Sequence, residues 1–239
     1  MTLVTGSRVL GADACRAGWV GIALSGDGVQ AYVHAEISGL VGLAAADGPL
    51  AVVGIDMPIG LADTGLRKAD LLARKAAGPR WASVFITPVR AAVAAADYQQ
   101  ACELNRQLAG CGISRQAFNL REKIIQVDSW LAQAPCPVVE VHPELCFAEL
   151  AGAPLTDGKS TWAGAAKRRQ LLAAEGIVLA GDLGLTGHQA GVDDVLDAAA
   201  VAWTARRVAS GSARRLPAEP ERFGDQIDCA IWIGCKSDD

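Results

Sequence analysis

Acidic residues stand in this chain where apolar stretches have no structural need for them. Asp13 closes the run Val9-Leu-Gly-Ala-Asp13, Asp56 closes Val52-Val-Gly-Ile-Asp56, and Asp193-Asp194-Val-Leu-Asp197 opens an apolar helix pattern. A carboxylate near a core costs free energy unless it is paired, bonded or neutralised. Two acid-ending strands and an acidic helix start predict one shared site for a divalent cation. Clustered carboxylates repel, and a hard cation with oxygen ligands relieves that repulsion. Taken alone, Asp13 reads as a turn or cap aspartate. Asp194 and Asp197 share a helix face at a spacing of three, as do Asp193 and Asp197 at four. Asp193 or Asp194 could also cap the helix or complement its dipole. Asp197 lies one turn in, against Ala198-Ala-Ala200-Val-Ala202, and that apolar setting calls for a cation or a hydrogen bond.

Other chemistry-bearing residues are more ambiguous. Glu140 and His142 alternate on an apolar run and so share a strand face. They read as an added metal ligand or a proton shuttle, or else His142 is a hydrogen-bonded structural histidine. Arg67-Lys68, Arg74-Lys75, Arg80 and Arg90 set six cations against Asp70. A solvated face is one reading. The nearby aromatics Trp81 and Phe85 make a phosphate-contacting surface with a stacking ring the other, with Arg67, Arg74 and Arg80 as substrate contacts. Lys167-Arg-Arg169 offers a second basic patch. Gly158-Lys159-Ser160 has the end of a P-loop, but Ala153 stands where the earlier glycine is required and no strand leads in. Lys159 reads instead as a loop lysine beside the active face, able to contact substrate.

The elements that must position these residues are legible from glycine punctuation and periodicity. Arg8 to Asp13, Gly18 to Leu24 and Val29 to His34 predict three strands, with Ser25-Gly-Asp-Gly28 as a tight turn. Ile37 to Ala46 predicts a helix, and Leu50 to Asp56 a buried parallel strand ended by Pro58. Gly65 to about Gln133 is rich in Ala, Arg and Gln and reads as a helical insertion or cap over residues 65–133. Val138 to His142 predicts a strand followed by a short helix from Pro143. Thr161 to Glu175 and Asp193 to Ala209 predict helices, Ser210 to Gly224 a polar linker, and Ile227 to Gly234 a last strand. Three strands, a crossover helix and a fourth strand describe the opening of an RNase H-like α/β fold, a mixed central sheet flanked by helices. At 239 residues, a single domain spanning 1–239 accounts for the chain.

Composition bounds the partners. A net charge of -4 provides no global field for nucleic acid, so any polyanion must meet a local patch. Seven cysteines without a Cys-x-x-Cys pair predict reduced thiols and a cytoplasmic location. The polar stretch Met1 to Arg8 predicts no secretory leader, and no apolar run is long enough for a membrane helix. A homodimer is compatible with all of this.

Gly11-Ala-Asp13 with Gly18-Trp19, Ile55-Asp56-Met-Pro58-Ile-Gly60-Leu61, Glu140-Val-His142-Pro143-Glu144 and Asp194-Val-Leu-Asp197-Ala198 together resemble domain-of-unknown-function family 429. That family is grouped with RNase H-like nucleases, and the resemblance covers nearly the whole chain in order. The last motif also resembles the Asp-x-x-Asp-Ala helix of Holliday junction resolvases. The resemblance implies a nuclease with nucleic acid as its partner and Asp13, Asp56, Asp194 and Asp197 as ligands to Mg²⁺ or Mn²⁺. In the two-ion form the ions lie roughly 3.5 to 4 Å apart and serve phosphodiester hydrolysis. Asp13 would bridge, Asp56 would hold one ion, and Asp194 and Asp197 the other. Where resolvases commonly place glutamate this chain has the shorter Asp56, which leaves one ion or two open. Two alternatives follow from the same fold group. A phosphotransferase of the actin and sugar-kinase type would need a late glycine-rich nucleotide segment and a duplicated half, for which the chain is short. A non-catalytic binding module would keep the acids without the chemistry.

Overall fold

A computed structural model describes residues 7–26 and 28–236. Residues 1–6 of the polar opening stretch and Asp27 of the expected tight turn lie outside the described residues. The chain opens with β1 (Val9–Cys15), β2 (Gly18–Ser25) and β3 (Gly28–His34), an antiparallel meander. Gly18 takes a φ of 127°, which a side chain would resist, and closes the β1–β2 turn opposite Cys15. Helix α1 (Ile37–Ala46) then crosses over to β4 (Val52–Ile55), which pairs in parallel with β1.

Between β4 and β5 (Val138–Val141) run α2 (Lys68–Ala77), a 3₁₀ turn over Gly78–Ser83, α3 (Arg90–Val93), α4 (Tyr98–Ala109), α5 (Arg115–Asn119) and α6 (Arg121–Trp130). Then follow α7 (Pro143–Ala151), α8 (Trp162–Ala174), α9 (Val192–Ala209), β6 (Ala213–Arg222) and β7 (Asp228–Gly234). The seven strands form one mixed sheet in the order β3-β2-β1-β4-β5-β7-β6, with β1, β4, β5 and β7 parallel. This α/β architecture, a mixed sheet flanked by helices, is compatible with an RNase H-like fold.

Strand alternation assigns the two sheet faces to two cores. Val9, Val52, Val139 and Val141 join Leu196, Val201 and Trp203 of α9 and Phe147 of α7 on one face. Leu10, Ala12, Val53 and Ile55 join Ile37 and Leu40 of α1 and Ile124 of α6 on the other. No helix among the described residues is long and apolar enough to cross a membrane. The seven cysteines all stand unpaired.

Two expectations need correction. The stretch expected as a polar linker from Ser210 contains β6, a ten-residue strand at the sheet edge. Arg214, Arg215 and Pro217 are what an edge strand carries, because they discourage pairing with another chain. In addition, β1 continues past Asp13, which pairs with Val20. Asp13 is free on its other side because β4 ends at Ile55, opposite Ala12.

Candidate metal centre

The site is built from a pattern that β1 and β4 share: a glycine, one apolar residue, then an aspartate. Gly11 and Asp13 lie on the same face of β1, and the chain repeats the spacing at Gly54 and Asp56. Each glycine admits α9. A Cβ on Gly11 would sit 2.1 Å from the Ala202 backbone nitrogen and 2.3 Å from the Ala198 carbonyl oxygen. A Cβ on Gly54 would sit 2.8 Å from a Val201 methyl carbon. Helix α9 therefore lies with its backbone against β1, and its small residues Ala198, Ala202 and Ala205 allow that approach. The same approach carries Asp197 to the strand ends.

One oxygen each of Asp13, Asp56 and Asp197 lies within 4.8 Å of the other two. Asp13 is 7% exposed and Asp197 3% exposed, while Asp56 is half-buried. Burial, then the charges of Asp56 and Asp197, raise the Asp13 carboxyl well above its ordinary range. Burial and Asp197 do the same to Asp56. Burial lifts Asp197 to about 6 even against the pull of Lys159. Three acids that share one buried space disfavour their own ionisation, which is the electrostatic condition that a hard cation relieves. The donor set fits such an ion, because all three donors are carboxylate oxygens. Magnesium and manganese take such oxygen donors.

A protein cation already reaches this cluster. Lys159 Nζ donates to Asp197 Oδ2 at 2.6 Å and lies 3.8 Å from Asp193. Burial opposes its charge, but Asp197 and the neighbouring acids outweigh that and hold it protonated. The loop that carries Lys159 is braced on both sides. Arg80 donates to the carbonyls of Leu155 at 2.7 Å and Thr156 at 2.5 Å. The fully buried Arg168 donates to the Asp157 carbonyl at 3.1 Å and pairs with Glu144 at 2.7 Å.

Asp194 opens onto the same cleft of about 360 Å³ as the three clustered acids, together with Lys159 and His142. Its Oδ2 accepts from the Gly191 amide at 2.8 Å, so it also caps α9. His142 caps α7. Its Nε2 lies 3.3 Å from the Ser83 carbonyl, while its buried Nδ1 has no partner. Burial lowers its pKa, which keeps the ring neutral.

The remaining expected residues lie elsewhere. Glu140 pairs with Ile55 in register and shares its sheet face, opposite α9. There it accepts from Arg67 at 2.7 Å through both oxygens and from the Ile59 amide at 2.8 Å. Its carboxylate is thus taken up in a buried ion pair away from the cluster. Arg67, expected to meet substrate, is 0% exposed and also holds Asp70 at 3.2 Å. Arg74 lies over the Trp81 ring at 4.8 Å. Arg80 spends its guanidinium on the loop carbonyls just described. Arg168, expected in the basic patch Lys167-Arg-Arg169, is instead fully buried against Glu144. What sequence reasoning passed over is the role of Gly11 and Gly54 in admitting α9, although their repeated spacing to an aspartate was the available signal.

The chain matches the family model described as Protein of unknown function (DUF429) over residues 11–222 and belongs to that family. No curated protein and no solved structure matches it.

Proposed function

We propose that this member of family 429 is a divalent-metal-dependent nuclease that hydrolyses phosphodiester bonds of nucleic acid at the Asp13, Asp56 and Asp197 cluster. The observation that carries this reading is three carboxylate oxygens within 4.8 Å in a space that disfavours their charge. Asp13, Asp56 and Asp197 would hold Mg²⁺ or Mn²⁺, with the free oxygen of Asp194 as a further donor. The bound cation would neutralise phosphate charge and acidify a water molecule.

The protein's own residues supply the rest. Lys159 is the ammonium within reach of a phosphate oxygen at the cluster, held there by its braced loop. His142, kept neutral by burial and lining the same cleft, would be the group that takes or gives a proton. Residues 65–133 act as a cap in this reading, because Ser83, Phe85, Gln116 and Leu120 furnish one wall of the cleft.

The test is cleavage of labelled single-stranded, duplex, RNA–DNA hybrid and four-way-junction substrates with Mg²⁺ or Mn²⁺. Wild type should cut at least one of these, and Asp13→Asn and Asp197→Asn should each abolish the cut. Cleavage that survives both substitutions, or no cleavage of any substrate, would overturn the reading.

A further inference from the structure

The lysine of the candidate site and the most exposed large hydrophobic side chain among the described residues share one short turn. Trp162, the first residue of α8, is 89% exposed, whereas Trp19 and Trp203 are fully buried. An indole left in water forgoes the burial that usually justifies so large an apolar group. Trp81 is also exposed, at 54%, but Arg74 covers one face of its ring. Among the described residues no ring or cation lies over Trp162.

The turn fixes Trp162 relative to the acidic cluster. The Thr161 amide donates to the Gly158 carbonyl at 3.0 Å, and its hydroxyl donates to the same oxygen at 2.8 Å. That hydroxyl also accepts from the Gly164 amide at 3.0 Å. Gly164 packs so closely that a Cβ would fall 2.0 Å from the Gly158 oxygen. Arg80 and Arg168 hold the preceding carbonyls. Lys159 therefore reaches inward to Asp197 while Trp162, three residues on, faces solvent. Three residues of chain span at most about 11 Å between Cα atoms, so the backbone of Trp162 belongs to the same braced segment that brings Lys159 to Asp197.

We propose that Trp162 is a stacking platform for an unpaired nucleobase of the strand whose phosphate lies at the Asp13, Asp56 and Asp197 cluster. The substrate is then a nucleic acid with a single-stranded stretch at the scissile bond. This inference rests on the nuclease reading above. Stacking on an indole tolerates any base, because every base presents a π-face. The lysine and the tryptophan thus divide one nucleotide chain between them, phosphate inward and base outward.

The test is fluorescence polarisation with a labelled oligothymidylate of about 12 nucleotides and an abasic strand of equal length, with Ca²⁺ in place of Mn²⁺. Trp162→Ala should weaken oligothymidylate binding about 10-fold, leave the abasic strand unchanged, and keep the wild-type melting temperature. Trp162→Phe should bind within about threefold of wild type. Unchanged oligothymidylate binding by Trp162→Ala, or an equal loss on both strands, overturns the platform. A fall of several degrees in its melting temperature does so too, because it would give the indole a structural role. If wild type binds neither strand although Mn²⁺ raises its melting temperature, the nuclease reading fails first and the platform with it.

Discussion

Lys159 and Asp197 form a direct ion pair inside the candidate metal centre, Nζ to Oδ2 at 2.6 Å. The ammonium stands beside three acids whose burial resists their charge, and it supplies part of the neutralisation that a cation would complete. A lysine and a divalent ion in the same space repel each other.

Removing that ammonium should therefore tighten metal binding. Lys159→Met should bind Mn²⁺ about fivefold more tightly in calorimetric titration, a modest gain because the lysine side chain is partly exposed and screened. Cleavage by the same variant should fall, because the phosphate contact goes with it. Unchanged or weaker Mn²⁺ binding would remove Lys159 from the electrostatics of the site.

The raised acids make metal-free stability depend on pH with a defined sign. Below the ordinary aspartate value of 3.8, Asp197 is protonated in both folded and unfolded chains and contributes nothing. Between 3.8 and its folded value of about 6, the unfolded chain releases a proton that the folded chain retains, so stability falls as pH rises. Above about 6 the penalty is constant, at most about 3 kcal/mol for this group. Metal-free Asp197→Asn should thus melt above wild type at pH 8 and converge with it near pH 4. Mn²⁺ should reverse that order at pH 8, because asparagine is a poorer ligand and the wild-type acids bind metal only when ionised. Parallel melting curves for the two proteins across this range would contradict the assignment.

The acids were legible in the sequence because few physical reasons place a carboxylate at the end of an apolar run. Asp13, Asp56 and Asp197 come together as that reasoning expects. The charges on Arg67 and Glu140 were not legible in the same way. They lie 73 residues apart, and a cation reads as solvated until its distant partner is known. Strand β6 was missed for a related reason: its arginines, glutamates and prolines suit a sheet edge and a linker equally well.

The Arg67–Glu140 pair should be costly to break singly. Arg67 is fully buried and Glu140 nearly so, and burial pushes the Glu140 carboxyl up to about 7 although Arg67 opposes it. Arg67→Met leaves Glu140 and Asp70 without their shared cation and should destabilise the protein by about 3–5 kcal/mol in urea unfolding. Arg67→Met combined with Glu140→Met should recover part of that loss, since an apolar pair leaves fewer buried charges unmatched. A strictly additive double variant would show that the two side chains do not act as a unit.

The close approach of α9 to β1 gives the last prediction, and it separates the packing of the site from its charges. Gly11→Ala places a methyl group 2.1 Å from a backbone nitrogen of α9, and a helix backbone cannot yield as a flexible side chain would. The helix must shift outward, at a cost of about 3 kcal/mol, and Asp197 moves with it. Gly11→Ala should therefore lose both melting temperature and most of the Mn²⁺-induced rise, although no acid has been changed. Gly42→Ala in α1 is the control, because among the described residues its added Cβ meets nothing within 4 Å beyond its own stretch of helix. There the better helix former should raise stability by about 0.5–1 kcal/mol and leave the Mn²⁺ response intact. If Gly11→Ala keeps a full Mn²⁺ response, the spacing between β1 and α9 is not what assembles the cluster.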